Sequence, residues 1–271
     1  MAADVFHVDQ RPVGFGQRAA VDPAGFEVEA RYRGQPPQQS RQRGKGELHA
    51  VVGQAAADAF AASPGGKDEL RAVFTALMTA DGDVVAAQVD ALAARLHAKP
   101  DKTPVDALAC RLNEQYPKDV GVLCAYVLNY LALKPGQCIY LAANEPHAYL
   151  AGECIECMAT SDNVVRAGLT PKLRDTAILC DMLTYRAGVP VVLDGERVDE
   201  STTRYVPPFD EFMLETVTVA PGATYELTKS QGPCVYLVHR GSAAVGGEVA
   251  AKRGSVLFTK AGDKTVVKAG E

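Results

Sequence analysis

The hydrophobic period of this chain changes once, at Tyr116-Pro117, and that change orders it into a helical part followed by a β part. Before it, Leu70, Val73, Phe74, Leu77 and Met78 fall at i, i+3, i+4, i+7 and i+8, one face of a helix. Val85, Val89, Leu92 and Leu96 repeat the stripe, and so do Val105, Leu108 and Leu112. Ala50–Ala62 reads as one alanine-rich helix, and turn chemistry stands at Ser63-Pro64-Gly65-Gly66, Asp81-Gly82 and Lys99-Pro100. The expectation is a bundle of about four helices over residues 47–118. It holds no cluster of catalytic residue types, so its default role is structural.

After Tyr116-Pro117 come short runs rich in Val, Leu, Ile, Tyr and Cys, separated by Gly/Pro turns. Val120–Leu133 and Gln137–Ala143 flank Lys134-Pro135-Gly136. Phe212–Val219, Tyr225–Thr228, Cys234–Val238, Ser255–Thr259 and Thr265–Lys268 follow, with a second Pro-Gly turn at Ala220-Pro221-Gly222. Such a series predicts a mixed, mainly β chain with two cupin-like jelly-roll modules and a helical subdomain. The first module, with a short helix in Thr170–Tyr185, would occupy residues 119–185, and the second residues 186–271. Built from 119–170 alone, the first barrel would be incomplete, and its open strand edges would favour self-association.

Residues 1–46 read differently. Arg31–Gly46, RYRGQPPQQSRQRGKG, is rich in Gly, Gln, Pro and Arg and nearly devoid of apolar residues. Too little apolar surface is available to offset the ordering entropy, which predicts disorder. Arg31, Arg33, Arg41, Arg43 and Lys45 would suit a nucleic-acid tail, but only Tyr32 could stack among them. A net charge of -5 gives no reason to expect nucleic acid or an anionic membrane as partner. MAADVFHVDQ has neither a basic region nor an apolar core of the secretory kind, and the seven cysteines are an odd, scattered set. Both point to reduced thiols in the cytoplasm.

The chemistry is concentrated in His147–Lys172, HAYLAGECIECMATSDNVVRAGLTPK. His147 ends a strongly apolar stretch, where an imidazole can point into a barrel mouth as a metal ligand or be satisfied by a backbone carbonyl. Glu156 stands between residues expected to be buried, which would raise its proton affinity and suit acid/base work unless an arginine pairs with it. Arg166 carries a fixed charge suited to an anionic intermediate or a phosphate, or to a salt bridge with Asp162 or Glu156. Asn163 reads as turn chemistry. Cys154 and Cys157 have the CxxC spacing, but on a strand i and i+3 face opposite ways, so the sulfurs would not converge on a metal.

This block, with Ala143-Asn144-Glu145-Pro146 before it and EQYPKDVGVL and LALKPG upstream, closely resembles the signature of type I mannose-6-phosphate isomerases. The resemblance is strong from about Asn113 to Tyr185. It implies a Zn²⁺ enzyme that interconverts mannose 6-phosphate and fructose 6-phosphate through an enediol(ate). It also implies His147 as a zinc ligand, Arg166, Glu156 and Lys172 as catalytic groups, and Tyr149, Asp162 and Lys172 as contacts for a sugar phosphate. The family places its other three zinc ligands, a Gln-x-His pair and a glutamate, ahead of the helices. No Gln-x-His occurs here, and His7 and His49 lie in other contexts. The expectations are therefore weak metal retention, with Glu145 or Glu153 as the nearest carboxylates, and a shortened chain. A cupin protein that binds sugar phosphate or a partner chain without isomerising it is the alternative.

Overall fold

A computed structural model describes residues 3–10, 18–21, 26–32, 45–63, 65–159, 164–227, 231–246 and 249–270, with backbone alone for the first three segments and for residues 45 and 249. Those first three segments are strands: β1 (Ala3–Gln10), β2 (Arg18–Val21) and β3 (Phe26–Tyr32). This corrects the expectation of disorder over residues 1–46. The composition that suggested it belongs mainly to residues 33–44, which lie outside the described residues. β3 reads FEVEARY, an apolar/polar alternation that signals a strand.

Five helices come next, where about four were expected: α1 (Lys45–Val52), α2 (Gln54–Ala62), α3 (Lys67–Thr79), α4 (Gly82–His97) and α5 (Pro104–Gln115). The extra helix arises at Gly53, whose φ of 85° breaks the alanine-rich run in two. The stripes of α3 and α4 are buried as expected. Asp81 caps α4 by accepting from the amides of Asp83 and Val84. Thr103 and Asp106 form a capping box at α5, with Pro104 in the first turn. A two-pronged bond from Arg95 to Glu47 (Nε–Oε1 2.7 Å, Nη2–Oε2 3.0 Å) ties α4 to α1.

The run Val120–Leu133, read as strand, begins instead with a helical turn, α6 (Gly121–Cys124), before β4 (Leu128–Ala132). All four residues of α6 are buried, so an apolar run there carries no period to distinguish helix from strand. Then follow β5 (Cys138–Leu141), β6 (His147–Gly152), β7 (Ile155–Met158), α7 (Thr176–Met182) and β8 (Val191–Leu193). The remainder is β9 (Glu196–Arg197), β10 (Thr202–Tyr205), β11 (Phe212–Val219), β12 (Thr224–Glu226), β13 (Cys234–Arg240), β14 (Ser242–Val245), β15 (Val249–Lys252), β16 (Val256–Thr259) and β17 (Val266–Ala269).

Four sheets result, with orders β4-β3-β6, β7-β2-β5-β8, β16-β13-β1-β11-β10-β9 and β12-β17-β14-β15. Each of the three N-terminal strands has a neighbour on both sides, and all their pairings are antiparallel. The first sandwich therefore draws on β2, β3 and β8 as well as residues 119–170. It has seven described strands, one short of a complete jelly roll.

The sheets stack with three apolar interfaces. Ile139, Leu141, Val192 and Cys154 pack with Leu131 and Leu133 inside the first sandwich. The opposite face of the same sheet, with Cys138, Ile155, Cys157 and Leu193, packs on Phe212, Leu214 and Leu237 of the six-stranded sheet. That sheet turns Val217, Val219, Tyr236 and Val238 toward the fourth. Strand alternation thus sends Cys138 and Ile139 to different cores. The helices share a separate core with α6, α7 and the loop after β7.

Candidate functional site

A cleft of about 720 Å³ opens where β6 begins. Its walls are residues 142–148, Met158 at the end of β7, the loop 164–170 with Lys172, and the α7 face carrying Leu179 and Met182. His147, Arg166 and Lys172, from three points along the chain, all line it. Tyr149 and Glu156 do not, and Asp162 and Asn163 lie outside the described residues.

His147 is the first residue of β6 and is half-buried. Its Nδ1 donates to the Glu145 carbonyl at 3.0 Å, which orients the ring. Tyr149, two residues on and so on the same strand face, sets its ring 5.7 Å from the imidazole. The tyrosine hydroxyl donates to Glu156 Oε1 at 2.9 Å. The entry to β6 is shaped by Asn144, at φ 58°, whose carbonyl accepts from the Thr184 amide. The Glu145 side chain is buried, with Arg186 Nη1 3.9 Å from its Oε1.

Glu156 departs from expectation. It is exposed and bonded to Tyr149, not enclosed by apolar side chains. β7 is the last described strand of its sheet, and Glu156 alternates with Ile155 and Cys157, which face the second sandwich. The flanking cysteines behave as the strand period requires: Cys154 packs within the first sandwich and Cys157 between sandwiches. Burial, then the Glu156 charge, pushes the Cys157 thiol up to about 12. All seven cysteines are free thiols.

The loop bearing Arg166 is held from behind. Val165, Ala167 and Leu169 pack on the helical core while the loop that carries them, with Arg166, forms a wall of the cleft. Asp119 Oδ1 accepts from the Gly121 amide at 2.7 Å and from the Leu169 amide at 2.8 Å. Leu169 has a φ of 56°. Gly168 abuts Gly121, and a Cβ on Gly168 would stand 2.6 Å from the Gly121 Cα. Sequence reasoning singled out none of these supports. Gly168 and Asp119 were visible only as a glycine and an acid among many.

Residues 50–128 match the sequence model of the helical insertion domain of type I phosphomannose isomerase. Mannose-6-phosphate isomerase 1 of Arabidopsis thaliana is 45% identical over 201 residues, which is 72% of this chain and 46% of that protein. The chain belongs to the type I phosphomannose isomerase family. A probable mannose-6-phosphate isomerase of Dictyostelium discoideum is also 45% identical, over 66% of this chain and 41% of its own length. The chain thus spans about half the length of the curated family members it matches. The fold agrees: a mutant phosphomannose isomerase from Salmonella typhimurium superposes with a TM-score of 0.77 at 23% identity, covering 94% of this chain and 64% of that one. A zinc-bound mannose 6-phosphate isomerase superposes at 0.73 and 22%, again over 94% and 64%.

Zinc needs at least three protein ligands. Among the described residues no group of three or more His, Cys, Asp or Glu side chains could hold a metal. His147 is the histidine of this cleft. His49 is bonded to Gln54 on the helical side, and Glu145 is turned toward Arg186. His7 sits in β1, opposite Glu215 and Tyr236 of the second sandwich. The described residues of this phosphomannose isomerase relative therefore do not fit a zinc ion.

Proposed function

We propose that the chain interconverts mannose 6-phosphate and fructose 6-phosphate at the cleft between β6 and the 164–172 loop. The observation that carries this reading is the convergence of His147, Arg166 and Lys172 on one cleft, in a chain 45% identical to a mannose-6-phosphate isomerase. Moving a proton between adjacent carbons of a sugar builds charge on an enediolate oxygen. Arg166, a planar permanent cation held by a packed loop, is placed to stabilise that charge without reorganising. Lys172, exposed at the rim, serves as a point charge for the phosphate. His147 has its ring direction fixed by the Glu145 carbonyl and the Tyr149 ring. Free thiols throughout support a reducing compartment such as the cytoplasm.

A second reading is favoured by the described residues, among which no group of three metal-binding side chains stands: a cupin protein that binds sugar phosphate without turnover. Zinc, present in one similar structure, enters no step above. A coupled assay for fructose 6-phosphate in zinc-supplemented buffer, run beside calorimetric titration with mannose 6-phosphate, separates the readings. Turnover abolished by Arg166→Ala supports the isomerase, binding without turnover supports the second reading, and neither signal overturns both.

A further inference from the structure

We propose that Asp119 is a positioning residue for Arg166, acting through a lock between the start of α6 and the loop that forms one wall of the cleft. This inference rests on the cleft being the sugar-phosphate site. Asp119 lies fifty residues from Leu169, yet one oxygen of its carboxylate accepts both the Leu169 amide, at 2.8 Å, and the Gly121 amide, at 2.7 Å. A single acceptor therefore fixes the loop to the turn that launches β4.

Three further contacts make the junction rigid. Gly168 and Gly121 meet backbone to backbone, so closely that a Cβ on either would collide: on Gly168 with Gly121 Cα at 2.6 Å, on Gly121 with Leu169 Cγ at 2.5 Å. Leu169 holds a left-handed φ of 56°, which a leucine keeps only when its surroundings over-determine it. Its side chain packs over Gly121 into the helical core, beside Val165 and Ala167. The lock sits three residues after Arg166 and three before Lys172, and Val165, Ala167 and Leu169 anchor the same stretch of backbone on the helical core, so the segment that carries both cleft cations is fixed. An oxyanion-stabilising cation loses its advantage when it must be ordered during the reaction. Asp119 removes that requirement without touching substrate.

The test uses Asp119→Ala, Asp119→Asn and Gly168→Ala in the full chain, each first shown to melt cooperatively. Gly168→Ala strikes the same lock from the loop side should Asp119→Ala not fold. Asn keeps a carbonyl oxygen able to accept both amides. Hydrogen exchange over residues 164–172 should quicken at least tenfold in Asp119→Ala and Gly168→Ala, and stay near the parent rate in Asp119→Asn. The Arg166 Nε–Hε resonance, identified by its loss in Arg166→Ala, should move toward that of a solvated arginine in the same two variants. With mannose 6-phosphate, Asp119→Ala should lower kcat more than tenfold while KM changes less than threefold, and Asp119→Asn should recover most of the loss. Parent-like exchange and an unmoved Arg166 resonance in Asp119→Ala would overturn the lock. Faster exchange with unchanged kcat would overturn the positioning role. A parent chain without binding or turnover would instead defeat the sugar-phosphate reading, and with it the catalytic part of this one, while the exchange and resonance data still decide the lock.

Discussion

Tyr149 donates to Glu156 across the junction between two sheets, since β6 belongs to the three-stranded sheet and β7 to the four-stranded one. The bond closes the edge of the first sandwich below His147, and it lies in solvent. Its worth to stability is therefore about 1 kcal/mol or less. Tyr149→Phe should lower the melting midpoint by only a few degrees, and Glu156→Gln should reduce turnover less than tenfold. A loss of several orders of magnitude in Glu156→Gln would return that carboxylate to the centre of the chemistry.

Arg166→Ala should reduce isomerisation by roughly two to four orders of magnitude, the range for removing a preorganised electrostatic group. Arg166→Lys should not restore it, because a point charge cannot reproduce the planar fork. Lys172→Ala should act mainly on KM. Steady-state kinetics of the three variants would decide among these roles, and an Arg166→Ala enzyme with parent-like kcat would contradict the assignment.

Acid should loosen the helical part first. Burial pushes the Glu47 carboxyl up, but the Arg95 hydrogen bond, its own backbone amide and the guanidinium charge outweigh burial and hold it below the usual range. Asp106 is likewise raised by burial and lowered further by Lys99, Thr103 and Tyr126. A carboxyl depressed in the folded state contributes stability above its unfolded pKa of about 4, and that contribution disappears as pH falls through the folded value. Melting midpoints should be flat in these two groups above about pH 5 and fall below about pH 4. Asp106→Ala should cost about 3 kcal/mol at neutral pH, since it leaves Lys99 and Tyr126 without their partner. A variant whose acid limb matches the parent's would show that Asp106 is not part of the linkage.

Cys157 should resist alkylation. Its thiol, held near 12, is essentially all protonated at pH 8. Iodoacetamide labelling followed by peptide mapping should find Cys157 unmodified in the native chain, and Cys157→Ser should leave turnover nearly unchanged. Rapid labelling of Cys157 would mean that the interface between the sandwiches opens.

The parts of this fold that follow from local rules were legible, and the parts that depend on distant partners were not. Leu70, Val73, Phe74, Leu77 and Met78 announce a buried face because a helix repeats within one segment, and β11 begins and ends where its apolar run does. α6 escaped because Gly121–Cys124 is buried all round. Val5-Phe6 in β1 and the FEVEARY of β3 are ordinary strand signals, overlooked beside the Gly/Gln/Arg tract that follows. At the site, His147, Arg166 and Lys172 were readable as chemical types, and the structure places them in one cleft. The exposure of Glu156 was not readable, because it depends on which strands and sheets come to flank β7, and the local sequence does not carry that.

Sheet order also sets a timetable. Ala3 pairs with Val219, and Asp4 with Arg240, while β2 waits for β5 and β7. A ribosome releases β1 long before either of its neighbours, β11 and β13. β2 and β3 wait too, across all the helices, for β4 to β7, and such delayed, non-local pairing makes folding slow and leaves strand edges available to other chains. Yield in the cell should therefore respond more to elongation rate and to holding chaperones than to substitutions on the finished surface.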